Sequence, residues 1–245
     1  MLHVANIQRM CFDDGPGIRT TVFLQGCNLH CPWCSNPEAV PFSYEKNEHG
    51  RDYELYELVN ILLRDRPFWG QDGGVTFSGG EALMQASELK PLWEILKHEG
   101  IHLTAETALF VPEKNVELSL PYIDFYYVDV KLMEENKCKN VIGGELSRFE
   151  RNVRYLSDHK CDMCFRIPCS MEYTLQELPK RQIIAFLKKY HQYPVQIFAI
   201  HDLAKSKYER IGTAVPHFAS VPEKEMEHFS FELKEAGCKV ERIGL

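Results

Sequence analysis

Along the chain, short runs of β-branched and aromatic residues end in glycine or a polar residue, and stretches with helical spacing of apolar positions lie between them. The strand-like runs are residues 19–25, 74–77, 101–106, 123–131, 163–168 and 195–200; the helical stretches are 53–64, 83–98, 112–118, 146–158, 175–190 and 222–236. Of these, 112–118 is short and weak, whereas 222–236 opens on Pro222 and acidic residues and is followed by Gly237, the usual start and stop signals. Six strand–helix pairs in succession predict a parallel sheet covered by helices. A closed eightfold barrel needs two more pairs, so the expected fold is α/β, a partial (β/α)6 TIM-like barrel. Residues 36–51, with prolines, a polar run and no periodicity, read as a surface loop. With no internal repeat, low-complexity segment or long linker, residues 1–245 are expected to form a single domain.

Composition narrows the function. A hydrophobic content of 44% with 26% charged residues is ordinary for a globular chain and excludes long disorder or a fibrous repeat as the main architecture. The net charge of −7 argues against a broad nucleic-acid-binding face. No apolar run is long enough to suggest a membrane span, and residues 1–11 lack the apolar core of a signal peptide, so a cytoplasmic location is expected. The nine cysteines stand out. An odd count without an export signal points to metal rather than to a disulfide scaffold.

Three of them fall in Gly26-Cys27-Asn28-Leu29-His30-Cys31-Pro32-Trp33-Cys34, a C-x3-C-x2-C loop directly after a predicted strand. Iron–sulfur cubanes are usually held by four thiolates; three leave one iron open to a ligand. Zinc is the competing metal, with His30 as a fourth ligand. Three buried, inert cysteines are the remaining alternative.

The loop resembles that of the radical S-adenosylmethionine (SAM) superfamily. Asp14-Gly15-Pro16-Gly17-Ile18-Arg19, eight residues before Cys27, narrows the resemblance to the activating enzymes of glycyl radical enzymes, such as those of pyruvate formate-lyase. The resemblance implies a [4Fe–4S] cluster on Cys27, Cys31 and Cys34, with SAM on the open iron. It implies that Gly79-Gly80-Glu81 contacts the amino group of SAM and that Lys131 pairs with its carboxylate. Arg166 is implied to hold the methionine or ribose end, and His201, Trp33 and Ser35 to border the ribose and adenine. Glu106, Thr107 and Asp129 are implied to order the site and to form a monovalent-cation site, although Glu106 replaces the frequent aspartate. Asp14, Gly15, Pro16, Gly17 and Arg19 are implied to lie by the opening that admits a glycine loop of the partner. Flavodoxin or ferredoxin is the implied electron donor; neither nucleic acid nor membrane is expected as a partner.

Cys161, Cys164 and Cys169 are spaced C-x2-C-x4-C and leave an auxiliary metal site open, whereas Cys11, Cys138 and Cys238 are isolated and read as structural. Larger activating enzymes insert a ferredoxin-like module after the first motif; no cysteine lies between Cys34 and Cys138, so none is expected here. Ser35-Asn36-Pro37-Glu38 is more similar to activating enzymes of other glycyl radical enzymes, such as glycerol dehydratase. The expected activity is hydrogen abstraction from a glycine of a partner enzyme; radical SAM chemistry on a small molecule and a zinc-binding interaction module are the rivals.

Overall fold

The computed structural model describes residues 1–43, 50–201 and 203–244. The strands are β1 (Leu2–Cys11), β2 (Arg19–Leu24), β3 (Arg51–Tyr53), β4 (Gly74–Gly79), β5 (His102–Thr107), β6 (Phe125–Asp129), β7 (Met163–Cys169), β8 (Pro194–Ala199) and β9 (Lys239–Arg242). The helices are α1 (Leu55–Leu63), α2 (Ala86–His98), α3 (Glu113–Ser119), a short α4 (Glu135–Lys137), α5 (Leu146–Asp158), α6 (Glu177–Leu187), α7 (Lys205–Arg210) and α8 (Glu223–Glu235). All strands join one open sheet in the order β3-β1-β2-β4-β5-β6-β7-β8-β9. From β2 to β9 every pairing is parallel; β1 and β3 add an antiparallel edge. The partial barrel therefore holds one more parallel strand than the six expected, and the N-terminal strand is an addition. Among the described residues no helix is long and apolar enough to cross a membrane.

Alternation along each strand sets the two faces. Phe77 packs edge-on to Trp93 of α2, Phe165 meets Phe186 of α6, and the Tyr126 hydroxyl hydrogen-bonds with Ser119 of α3. These residues face the helices, and each fully buried large apolar side chain there contributes about 1.5–3 kcal/mol. The intervening positions, Thr76, Ser78, Thr104, Glu106, Tyr127, Asp129 and Arg166, face the barrel interior, which is thus polar rather than filled with aliphatic layers.

Five elements escaped the sequence pattern: β3 and α4 are only three residues each, and β1, β9 and α7 have their own physical reasons. β1 carries register irregularities between Val4 and Asn6 and between Gln8 and Cys11, which break its alternation. β9 is four residues of mostly charged edge strand, and α7 buries only Tyr208. The expected loop 36–51 contains a short 3-10 turn at Pro37–Ala39 and ends as β3 begins; its residues 44–49 lie outside the described residues.

Candidate functional site

The cysteine loop leaves the end of β2 and is tied to several separate parts of the molecule. The Gly26 and Cys27 amides donate to the carbonyls of Ala39 and Val40, at 2.8 and 3.0 Å. The His30 amide donates to Ile142 at 3.0 Å, and the Asn28 amide group to the Phe110 carbonyl at 2.8 Å. Ile142 closes a π-helical turn, Cys138–Ile142, whose following residue Gly143 (φ +74°) lies under the His30 ring where a Cβ would not fit. From the other side α7 clamps the loop: the Tyr208 hydroxyl donates to the Cys34 carbonyl at 3.0 Å, and Lys207 Nζ reaches the Ser35 carbonyl, Asn36 Oδ1 and Glu38 Oε1 at 3.0, 2.7 and 3.1 Å. Neither Lys207 nor Tyr208 was singled out from the sequence. Nothing in a six-residue polar helix distant in the chain announces this contact.

At the end of β4, the Gly79-Gly80 turn is required by packing against this loop. Gly79 has φ +105°, and a Cβ on Gly80 would lie 2.2 Å from the Gly26 carbonyl oxygen. The Glu81 amide donates to that same carbonyl at 3.0 Å. The Glu81 side chain lines the cavity, but its carboxylate accepts from the Thr107 hydroxyl (2.7 Å) and from the amides of Ala108 (2.8 Å) and Leu83 (3.1 Å). It braces the end of β5 against the turn. Burial raises its pKa even so.

Cys27, Cys31 and Cys34 face a cavity of about 230 Å³ at the C-terminal ends of the parallel strands. Its walls include Gly79, Gly80, Glu106, Thr107, Asp129, Lys131, Arg166 and His201, with Trp33 and Ser35 from the loop itself. The sequence-predicted residues of the cofactor site are therefore gathered in one place. Lys131 Nζ donates to Asp129 at 2.9 Å. Burial works against the Lys131 charge, but Asp129 and then Cys31 outweigh it and raise its pKa above the usual lysine range. Arg166 donates to Glu106 at 2.6 Å and to Gln196 at 3.1 Å, lies over the Tyr127 ring at 3.4 Å, and also reaches the Asp13 carbonyl. Glu106 takes a second bond from Ser78 at 2.5 Å; burial pushes its carboxyl up to about 7 despite Arg166. Among the described residues the buried Trp33 Nε1 has no hydrogen-bond partner, and its ring lies 4.9 Å from that of Tyr173.

The segment expected at the partner opening divides in two. Asp13 and Asp14 line a second cavity that shares Ser78, Glu106, Arg166 and His201 with the first. Arg19 takes no part in that opening. It is fully buried inside the barrel, where its guanidinium donates to the carbonyls of Pro16, Val75 and His102 and to the hydroxyls of Thr76 and Thr104. Burial lowers its pKa to about 10. Gly15 packs against Arg19 and Thr104, and Gly17 (φ +63°) against the backbone at Gly73, so these glycines shape a turn that folds over the arginine. Arg19 thus braces the barrel from inside, whereas Pro16 and Gly17 of the turn are exposed.

The donor set suits an iron–sulfur cluster. Three soft thiols share the cavity, and burial raises their pKa values, to about 12 at Cys27 and about 11 at Cys34. A metal that displaces those protons relieves the cost of burying thiolate. The zinc reading fares worse. Among the described residues no three His, Cys, Asp or Glu side chains converge on one metal ion, and His30 is exposed and absent from the cavity wall. Thiolates of a cluster bind different irons and need not converge so closely. The auxiliary site left open at Cys161, Cys164 and Cys169 does not form either: Cys164 and Cys169 stand at opposite ends of β7, about 16 Å apart at strand rise. All nine cysteines are free thiols.

Residues 21–187 match the family model of the radical SAM superfamily. The pyruvate formate-lyase-activating enzyme of Clostridium pasteurianum is 30% identical over 214 residues, covering 86% of this chain and 87% of that protein. The trans-4-hydroxy-L-proline dehydratase activating enzyme of Clostridioides difficile is 27% identical over 263 positions, covering 85% of this chain and 87% of the relative. That alignment is longer than the 245 residues here, so the relative carries extra residues within the aligned span. Among solved structures, a domain of pyruvate-formate lyase-activating enzyme from Bacteroides vulgatus superposes with a TM-score of 0.59 at 20% identity, covering 70% of this chain and 99% of that one. A radical SAM methyltransferase from Sphaerobacter thermophilus gives 0.66 at 15% identity, over 96% of this chain and 68% of that one. At these identities the structures show the shared fold alone.

Proposed function

We propose, for a chain that belongs to the radical SAM superfamily, that it is the activating enzyme of a glycyl radical enzyme. The observation that carries this reading is one cavity holding Cys27, Cys31 and Cys34 together with the Gly79-Gly80 turn, Lys131 and Arg166 at parallel strand ends. Cys27, Cys31 and Cys34 would hold a [4Fe–4S] cluster with SAM on its open iron, and once reduced it would supply one-electron cleavage of SAM, with methionine leaving, and removal of a hydrogen atom from a glycine α-carbon. The protein's own part is binding, orientation and exclusion of water. Lys131, steadied by Asp129, meets the SAM carboxylate; the Gly79-Gly80 turn borders the amino group; Trp33, Ser35 and His201 border the ribose and adenine.

The names of the curated relatives support a protein substrate. The second cavity, past Asp13 and Asp14, is then the way in for the partner's glycine segment. The chain works as a radical SAM core with no inserted ferredoxin-like module, and takes its electron from flavodoxin or ferredoxin in an oxygen-free cytoplasm. The test is anaerobic mixing of reduced, cluster-loaded protein with SAM and the glycyl radical enzyme encoded nearest to it. A glycyl doublet in electron paramagnetic resonance, with matching 5′-deoxyadenosine, is expected. Turnover of a small metabolite with no doublet from any glycyl radical enzyme overturns the reading, as does a colourless protein containing zinc.

A further inference from the structure

Glu106, Thr107 and Asp129 are the residues from which the family resemblance implies a monovalent-cation site. A bound cation needs several oxygen lone pairs aimed at one point, and here these oxygens are drawn into hydrogen bonds within the protein, both oxygens of Glu106 among them. Glu106 accepts from Arg166 at 2.6 Å through one oxygen and from Ser78 at 2.5 Å through the other. The Thr107 hydroxyl donates to Glu81 at 2.7 Å and accepts from the Leu109 amide at 2.9 Å. Asp129 accepts from Lys131 at 2.9 Å. Glu106 and Asp129 also each have a cation of the protein against them, Arg166 and Lys131 respectively.

We propose that Arg166, gripped by Glu106, supplies the positive charge that a bound alkali cation would otherwise bring, so that SAM binding in this cavity is independent of K⁺ and Na⁺. Geometry explains why glutamate is needed. Glu106 is on β5 and Arg166 on β7, with β6 between them, so the pair bridges about 9–10 Å of sheet. Arg166 spans part of that distance while lying over Tyr127 on β6, and the extra methylene of glutamate, compared with aspartate, completes it. Gln196 and the Asp13 carbonyl hold the far side of the guanidinium.

The inference rests on the cavity being the SAM site, and the experiment separates the two. Cluster-loaded protein is titrated with SAM by anaerobic calorimetry in potassium, sodium and tetramethylammonium chloride at equal ionic strength, and thallium(I) binding is followed by NMR. The same affinity in all three salts and no thallium site are expected. Glu106→Asp, with its carboxylate drawn back from Arg166, should bind thallium and hold SAM roughly tenfold more tightly in potassium than in tetramethylammonium. Tighter SAM binding by the native chain in potassium, or a native thallium site, overturns the inference. Absence of SAM binding in every salt overturns instead the reading of the cavity on which it rests.

Discussion

Lys131 and Glu106 show how local surroundings set the role of a single side chain. Lys131 is held charged by Asp129 inside the cavity. Lys131→Met should weaken SAM binding by roughly tenfold to a hundredfold, the loss of a charge-assisted hydrogen bond, with iron and sulfide content unchanged; calorimetry and metal analysis check both. Glu106 behaves oppositely, since burial raises its pKa from 4.5 to about 7. A raised carboxyl favours the folded state when protonated. Its contribution is complete below about 4.5 and is lost as pH rises through about 7. In urea unfolding across this range, Glu106→Gln should show a flatter decline than the native chain, whatever its absolute stability.

At the scale of elements, the parallel strands β2 and β4 to β8 and the long helices were legible because each buries a regular apolar face. The strand ends were legible too, since Gly79-Gly80-Glu81, Glu106-Thr107 and Asp129-Val130-Lys131 are polar or glycine interruptions of apolar runs. The direction of Arg19 was not. Its chain position beside the Asp14–Gly17 turn suggests an exposed role, and only the strand register shows that it shares a face with Thr76 and Thr104 inside the barrel. The clamp of α7 was equally hidden, being a contact between residues more than 170 positions apart. Lys207→Ala combined with Tyr208→Phe removes the side-chain contacts of the clamp, whose loss, exposed as they partly are, is expected to cost about 1–2 kcal/mol in all, so a chelator should strip iron roughly tenfold faster. Loss of the visible chromophore under anaerobic chelation measures this.

At the scale of the molecule, the sheet is open and its interior polar, and two adjoining cavities meet at Ser78, Glu106, Arg166 and His201. Arg166 bonds to Glu106 in the first and to the Asp13 carbonyl at the wall of the second. One guanidinium thus joins the cofactor side to the side from which a partner approaches. The sequence placed Arg166 on an otherwise apolar strand, which announces a buried cation but not its partners; those depend on how three neighbouring strands align.

Ala39, Val40, Glu81, Phe110, Ile142, Tyr208 and Lys207 all hydrogen-bond to the cysteine loop. None of these bonds needs a metal to form. In small zinc domains, by contrast, the chain folds only as the ion arrives. With so many protein contacts on the loop, this chain is expected to fold first and take its metal second, so that damage has a remedy. A chain whose iron is lost to oxygen should then keep its shape and be repaired by cluster delivery alone. Far-ultraviolet circular dichroism of the apo and reloaded forms should superimpose, and reloading should restore SAM cleavage without a denaturation step.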